Sequence, residues 1–279
     1  MISGGCRRRE CADTRPGIQV AKGDELYMDN MSNKRRALRI LNSMVSLVLV
    51  LILFFFGAYA VYALWDNNQV YQAAEDVQLE LKRLKPSADG ENGPTFEELL
   101  KINPDVCAWI TMDGTKIDHP VLQGENNLTY INKDVYGKFA LAGSIFLDSR
   151  NQRDFSDSYN LLYGHHMSER HMFGDLDLYE KEAFFRKNTT GTLLVPGKVY
   201  DLQVLAFMRV TASEQEIFNL DIYRGNSAGV AGFALQKASL KSEGLSSITG
   251  EDRLLALSTC SSDFTDARVI VLTKMIPRK

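Results

Sequence analysis

Hydrophobic and polar positions divide the chain into stretches with different periods. Val45–Leu64, VSLVLVLILFFFGAYAVYAL, is apolar with no charge. At 1.5 Å per helical residue, a run of about twenty residues crosses a hydrocarbon core, so it predicts a transmembrane helix. A soluble core helix of five turns would keep a polar face, and this run has none. Val70–Pro86, VYQAAEDVQLELKRLKP, consists of helix formers and stops at a proline, which predicts a helical stalk. Ser87–Pro94, SADGENGP, reads as a linker. Thr95 then resembles an N-cap with Glu98 as its capping-box partner. Phe96, Leu99 and Leu100 fall on one face of the short helix that follows.

After Asn103 the pattern turns to short strands rich in β-branched and aromatic residues, bounded by Gly, Asp, Asn or Pro. The candidates are Cys107–Met112, Gly143–Leu147, Tyr159–Tyr163, Gly191–Val195, Lys198–Arg209, Arg253–Thr259 and Arg268–Ile276. Pro196-Gly197 is a tight turn between two of them. Helical stretches interrupt them at Leu176–Arg186 and Ala228–Ser242. The expected fold is mainly β, a closed or nearly closed barrel with peripheral helices, preceded by the transmembrane helix.

Charge orients this layout. Lys34, Arg35, Arg36 and Arg39 precede the apolar run, whereas Asp66, Asn67 and Asn68 follow it. The positive-inside bias predicts a cytoplasmic N-terminus and an extracellular remainder. The apolar run is too long for a cleaved signal peptide and ends in bulky residues, so an uncleaved single-pass anchor is expected. The resulting division is 1–44 cytoplasmic, 45–65 transmembrane anchor, 66–94 extracellular stalk and linker, and 95–279 a strand-rich domain. MSNKRRALRILN reads as a natural opening, so translation is expected to start at Met28 or Met31 rather than Met1.

The 279 residues carry a net charge of -3, and no basic surface argues for nucleic acid. The four histidines, His119, His165, His166 and His171, show no metal-binding spacing. Of the four cysteines, Cys6 and Cys11 precede the anchor; Cys107 and Cys260 follow it. Cys107 lies in DVCAWI, which reads as a core strand, and behaves there as a small buried hydrophobe. Cys260 ends a strand at LSTC and opens the polar loop SSDFTDA. It could be inert, disulfide-bonded to Cys107, or a nucleophile. Arg268 begins the next strand, where its fixed cation would favour a thiolate or hold an oxyanion. YGHHM sets His165 and His166 just past Tyr159–Tyr163, and a cysteine with a histidine suits acyl transfer.

These residues resemble the sortase family. YGHHM followed by HMFGDL, and LSTC followed by an arginine, look like its signature. FEELLKINPDVCAWITM, IDHPVLQ with Asn127 and Tyr130 after it, YGKFALAGSIFLD, and the segment Asp175–Lys187 resemble class B members. The likeness runs from about Phe96 to Ile276, with Ala256 standing where the family often has threonine. It implies a sortase β-barrel and a cysteine transpeptidase on the outer face of a Gram-positive membrane. Residue by residue, it implies that Cys260 is the nucleophile, His165 the catalytic histidine and Arg268 the catalytic arginine. Thr259 and Ser261, which frame the thiol, are expected at the substrate. The implied donor is a surface protein or pilin bearing an LPxTG- or NPxTx-like sorting signal. The implied acceptor is an amine of the peptidoglycan precursor lipid II or of a pilin lysine. No metal or organic cofactor is implied. An extracellular cysteine peptidase and a catalytically silent, membrane-tethered binding module remain as alternatives at this point.

Overall fold

The computed structural model describes residues 22–87, 94–167, 170–223, 225–260 and 267–278. Cys6, Cys11, Met1, most of the 87–94 linker, Ser261 and the rest of the loop before Ala267 lie outside the described residues. The apolar run and the stalk form one helix, α1 (Lys22–Lys82). No proline or glycine follows Leu64 until Pro86, so the polar Asp66-Asn67-Asn68 does not stop it. Within Asn30–Asp66 the apolar window has a mean hydropathy of 2.7 and is wholly unburied. By length and composition this helix can cross a membrane.

Trp65–Lys279 is a compact unit of its own. In it, the last turns of α1 and the residues just after them pack on the strands. Leu81, Val77 and Leu84 join a cluster with Trp109, Leu122 and Leu194. Gln78 donates to the Lys116 carbonyl at 3.1 Å, and Lys85 pairs with Asp118 at 2.8 Å. α2 (Phe96–Ile102) follows. The expected capping box at Thr95 is not formed, because the Thr95 side chain makes no capping hydrogen bond. Glu97 and Glu98 in the first turn supply the favourable charge at that helix end instead.

The strands are β1 (Val106–Met112), β2 (Asp118–Leu122), β3 (Ile145–Leu147), β4 (Tyr159–His165), β5 (Thr190–Val195), β6 (Lys198–Thr211), β7 (Leu240–Lys241), β8 (Arg253–Cys260) and β9 (Ala267–Pro277). Their order is β5-β1-β2-β3-β4-β8-β9-β6, with β7 on the outer side of β6. Pairing of β5 with β6 closes eight strands into a barrel. The β5–β6 turn is the predicted Pro196-Gly197, and Gly197 has φ +75°, a conformation that suits glycine. β2 was not predicted because Pro120 weakens a strand signal. Pro120 is tolerated where β2 pairs with β1, one residue before the pairing with β3 begins.

The predicted helix Leu176–Arg186 is a 3-10 segment, Gly174–Glu180, followed by α3 (Glu182–Lys187). After β6 come α4 (Gln215–Phe218) and α5 (Ser227–Lys237). The predicted helix Ala228–Ser242 is shorter in fact, since Leu240 and Lys241 pair with β6.

Period-two alternation divides each strand between two environments. Leu255 and Leu257 of β8, Leu162 of β4, and Val269 and Val271 of β9 fill the barrel interior with Phe173 and Phe207. Leu254 and Ala256, Leu161, and Ile270 and Leu272 point to the outer wall. There α5 and its neighbours cover them through Val230, Ala234, Ile217 and Leu245.

Candidate active site

The candidate residues meet through strand register. β4 and β8 are parallel neighbours, with Leu161 opposite Ala256, Tyr163 opposite Ser258 and His165 opposite Cys260. β8 and β9 are antiparallel, with Ala256 opposite Leu272 and Ser258 opposite Ile270. Two residues further along each strand, this register sets Arg268 across from Cys260. The Val269 N–H donates to the Thr259 hydroxyl at 3.0 Å, so the two strands stay joined past their last ladder pair. His165, Cys260 and Arg268 therefore form one row across three adjacent strands. Strands lie about 4.8 Å apart, and residues in one row share a face.

That face is the outer wall. By parity His165 continues Leu161 and Tyr163, and Arg268 continues Leu272 and Ile270. Sequence reasoning expected a barrel rim. The row is at the strand ends, but it extends the outer wall, next to the segment that carries α4 and α5. The physical reason is parity: the interior positions on β8 are Leu255, Leu257 and Thr259.

Two glycines shape the approach to His165. A Cβ on Gly164 would meet the Phe173 ring at 2.8 Å and the end of Ile145 at 2.4 Å. A Cβ on Gly174 would lie 2.1 Å from the Met167 carbonyl. The two motifs YGHHM and HMFGDL thus fold back on each other, and the Phe173 N–H donates to the His165 carbonyl at 3.0 Å. The half-buried His165 ring sits with Nε2 2.6 Å from the Ile131 carbonyl. A carbonyl only accepts, so Nε2 carries the proton. His166 instead pairs its Nε2 with Asp177 at 2.6 Å on the exposed side of the same turn. The His166 hydrogen bond, with the Arg209 guanidinium nearby, holds the Asp177 carboxyl below the usual range against burial, and Arg209 also pairs with Glu180.

None of Asp148, Asp157 and Asn160, all near in sequence, is the partner of His165. Asp148 takes the Arg150 fork, Asn127 and the Tyr163 hydroxyl. Asp157 takes Asn151 and the Gln152 N–H. Asn160 donates to the Asp157 and Leu254 carbonyls. The partner is a backbone atom on the β2–β3 loop, which side-chain patterns do not reveal. The one sequence signal for it is Gly143 in YGKFALAGSIFLD.

The other predicted features fall in different places. Cys107 is a free thiol, 1% exposed, that donates to the Val121 carbonyl. Burial pushes it up to about 12, which makes it inert, and a disulfide with Cys260 is not formed. Thr259 is 2% exposed, and its hydroxyl is used at the β8–β9 junction. Ser261 lies outside the described residues. His119 is buried in β2, where burial pushes it down to about 4. A cavity of about 350 Å³ beside Leu81, His119, Phe139 and Met172 contains none of the row residues. Among the described residues, no group of three or more His, Cys, Asp or Glu could hold a metal ion.

Comparison with known proteins gives one consistent result. No protein-family model matches the chain. The chain is 30% identical to sortase B of Staphylococcus aureus over 236 residues, covering 84% of this chain and 96% of that protein. A Streptococcus pyogenes class B sortase involved in pilus biogenesis is 40% identical, with a TM-score of 0.59 over 64% of this chain and 97% of the other. A Staphylococcus aureus sortase B–substrate complex is 28% identical, with a TM-score of 0.60 over 77% and 98%. Since the first likeness covers nearly the whole relative and the closed barrel matches the solved structures, the chain belongs to the class B sortases, which are cysteine transpeptidases.

Proposed function

We propose that Cys260, His165 and Arg268 carry out the transpeptidation, on a sorting signal of the LPxTG or NPxTx kind. The observation that supports this is the backbone register, which sets His165, Cys260 and Arg268 side by side on three adjacent strands. The Cys260 thiol passes its proton to His165, and the thiolate attacks the threonine carbonyl of the signal. Arg268 and backbone amides near Cys260 hold the developing oxyanion. The amide C–N bond breaks, His165 returns the proton to the leaving amine, and a thioester remains. An incoming amine then displaces the thiolate and gives up its proton to His165. Thr259 and Ser261 flank Cys260 in the sequence and are assigned to substrate binding; the Thr259 side chain is buried and bonded to Val269, so its part falls to its backbone. The segment between β6 and β8, carrying α4 and α5, borders the same wall.

The acceptor is assigned as an amine of the cell-wall precursor lipid II or a pilin lysine. The pilin reading is favoured by the 40% identity to the class B sortase involved in pilus biogenesis. α1 anchors the enzyme, with the basic cluster Lys34, Arg35, Arg36 and Arg39 inside and the barrel outside. Enzyme, secreted donor and membrane-bound acceptor then share one surface.

The test is product analysis on a sorting peptide with an added amine. Transpeptidation gives a new amide, whereas a plain peptidase gives only the free acid. Cys260→Ala should remove both the thioester and at least about 10⁴ of the turnover. Cleavage retained in that variant would refute the assignment.

A further inference from the structure

Resting on the role proposed for His165, we infer that the Ile131 carbonyl is its positioning group and that Nδ1 is the nitrogen that exchanges the proton. The Ile131 oxygen lies 2.6 Å from Nε2. It is not a loose loop atom. Gly143 backs directly onto it: any Cβ at 143 would sit 2.3 Å from that oxygen, and Gly143 has φ +58°. The Ser144 N–H donates to the Tyr130 carbonyl at 3.1 Å, and its hydroxyl to the Lys133 carbonyl at 2.7 Å. One residue before Ile131, the buried Tyr130 hydroxyl donates to Asp105 at 2.7 Å and accepts from Asn103 at 3.0 Å. Asn127 ties the start of the same loop to Asp148 and Ser149.

Four anchors thus aim one carbonyl at one ring nitrogen. A neutral carbonyl fixes the tautomer and the ring plane without adding a negative charge beside the imidazole. With Nε2–H occupied, the proton taken from the Cys260 thiol goes to Nδ1. Nδ1 delivers it to the leaving amine as the C–N bond breaks, and later takes one from the incoming amine as the thiolate leaves. Nε2 keeps its own proton throughout.

The experiment is 15N NMR of the full chain in detergent with 15N-labelled histidine, His165→Gln assigning the signals, combined with kcat and KM on a sorting peptide. Neutral His165 should be the Nε2–H tautomer in the native enzyme. Gly143→Ala pushes the carbonyl away, so the tautomer signal should become mixed. Its kcat should fall by about 100-fold, the cost of a small misplacement of a reacting group. Its KM should stay within about 2-fold. Tyr130→Phe, which removes one anchor, should shift both readouts in the same direction by less. An Nδ1–H tautomer in the native enzyme overturns the inference. So does a native His165 spectrum in Gly143→Ala or Tyr130→Phe alongside reduced kcat, because the loop would then act only on stability. Should Gly143→Ala not fold, the native tautomer and Tyr130→Phe decide. Full turnover in His165→Gln would instead refute the catalytic role itself.

Discussion

The interior and the outer wall of β4, β8 and β9 are built from alternate residues of the same three strands, yet they do different work. Inside, Leu162, Leu257 and Val271 are fully buried and exchange only apolar contacts. Outside, the row of Leu161, Ala256 and Leu272 is just as apolar and is roofed by α5 and its neighbours. Toward the strand ends the wall turns polar, through Tyr163 and Ser258 to the row of His165, Cys260 and Arg268. One alternation therefore produces the core and also carries the three residues proposed for catalysis to the end of a rigid wall, where strand register rather than loop geometry sets their backbone spacing.

Arg268→Lys probes this contrast from the wall side. A point charge cannot reproduce the guanidinium fork, so kcat/KM should fall by about 10²–10³. Its unfolding free energy should stay within about 0.5 kcal/mol of the native value, read by denaturant unfolding. Equal losses of stability and activity would erase the distinction between the two faces. Leu257→Ala makes the opposite probe, three residues from Cys260 but facing inward. It should cost about 2–5 kcal/mol of stability through the cavity it leaves. Turnover per folded molecule should remain close to native, and a large kcat loss in fully folded protein would count against the separation.

Acid unfolding examines how the wall is braced. Asp148 is fully buried between β3 and β4, and burial alone would raise its pKa. The Arg150 fork at 2.7 and 2.9 Å and Asn127 at 2.9 Å outweigh that and hold it below the usual range. A depressed carboxyl contributes stability that is complete above its unfolded value, about pH 4. That contribution is lost as pH falls through the folded value. Asp148→Asn should therefore lose less stability than the native chain between pH 5 and about pH 2. Parallel curves across that window would show that Asp148 does not supply the acid sensitivity. The smallest effect belongs to the interior thiol. Cys107→Ala should cost about 1 kcal/mol and leave transpeptidation intact. Loss of turnover there would mean that Cys107 takes part after all.

Much of the molecule was readable locally. Seven of the strands, the Pro196-Gly197 turn and the inert Cys107 follow from alternation, turn residues and burial tendency. β2 was hidden by Pro120, and β7 by the helix-forming run before it. The Thr95 capping box failed because the motif specifies which groups could bond, while the chain entering α2 decides whether they meet. Thr259 looked like a neighbour of the substrate, but parity turns its side chain inward, to the β8–β9 junction.

The sequence by itself determined the apolar helix, the strand-rich composition of the remainder, and which thiol, imidazole and guanidinium were available. Those follow from properties of neighbouring residues: hydropathy, period and turn chemistry. Only the tertiary structure decided that His165 stands beside Cys260, that His166 turns to Asp177, and that a backbone carbonyl at Ile131 meets the ring. Those depend on hydrogen-bond register between strands far apart in the chain. A one-residue slip in that register would move each group to the opposite face of its sheet.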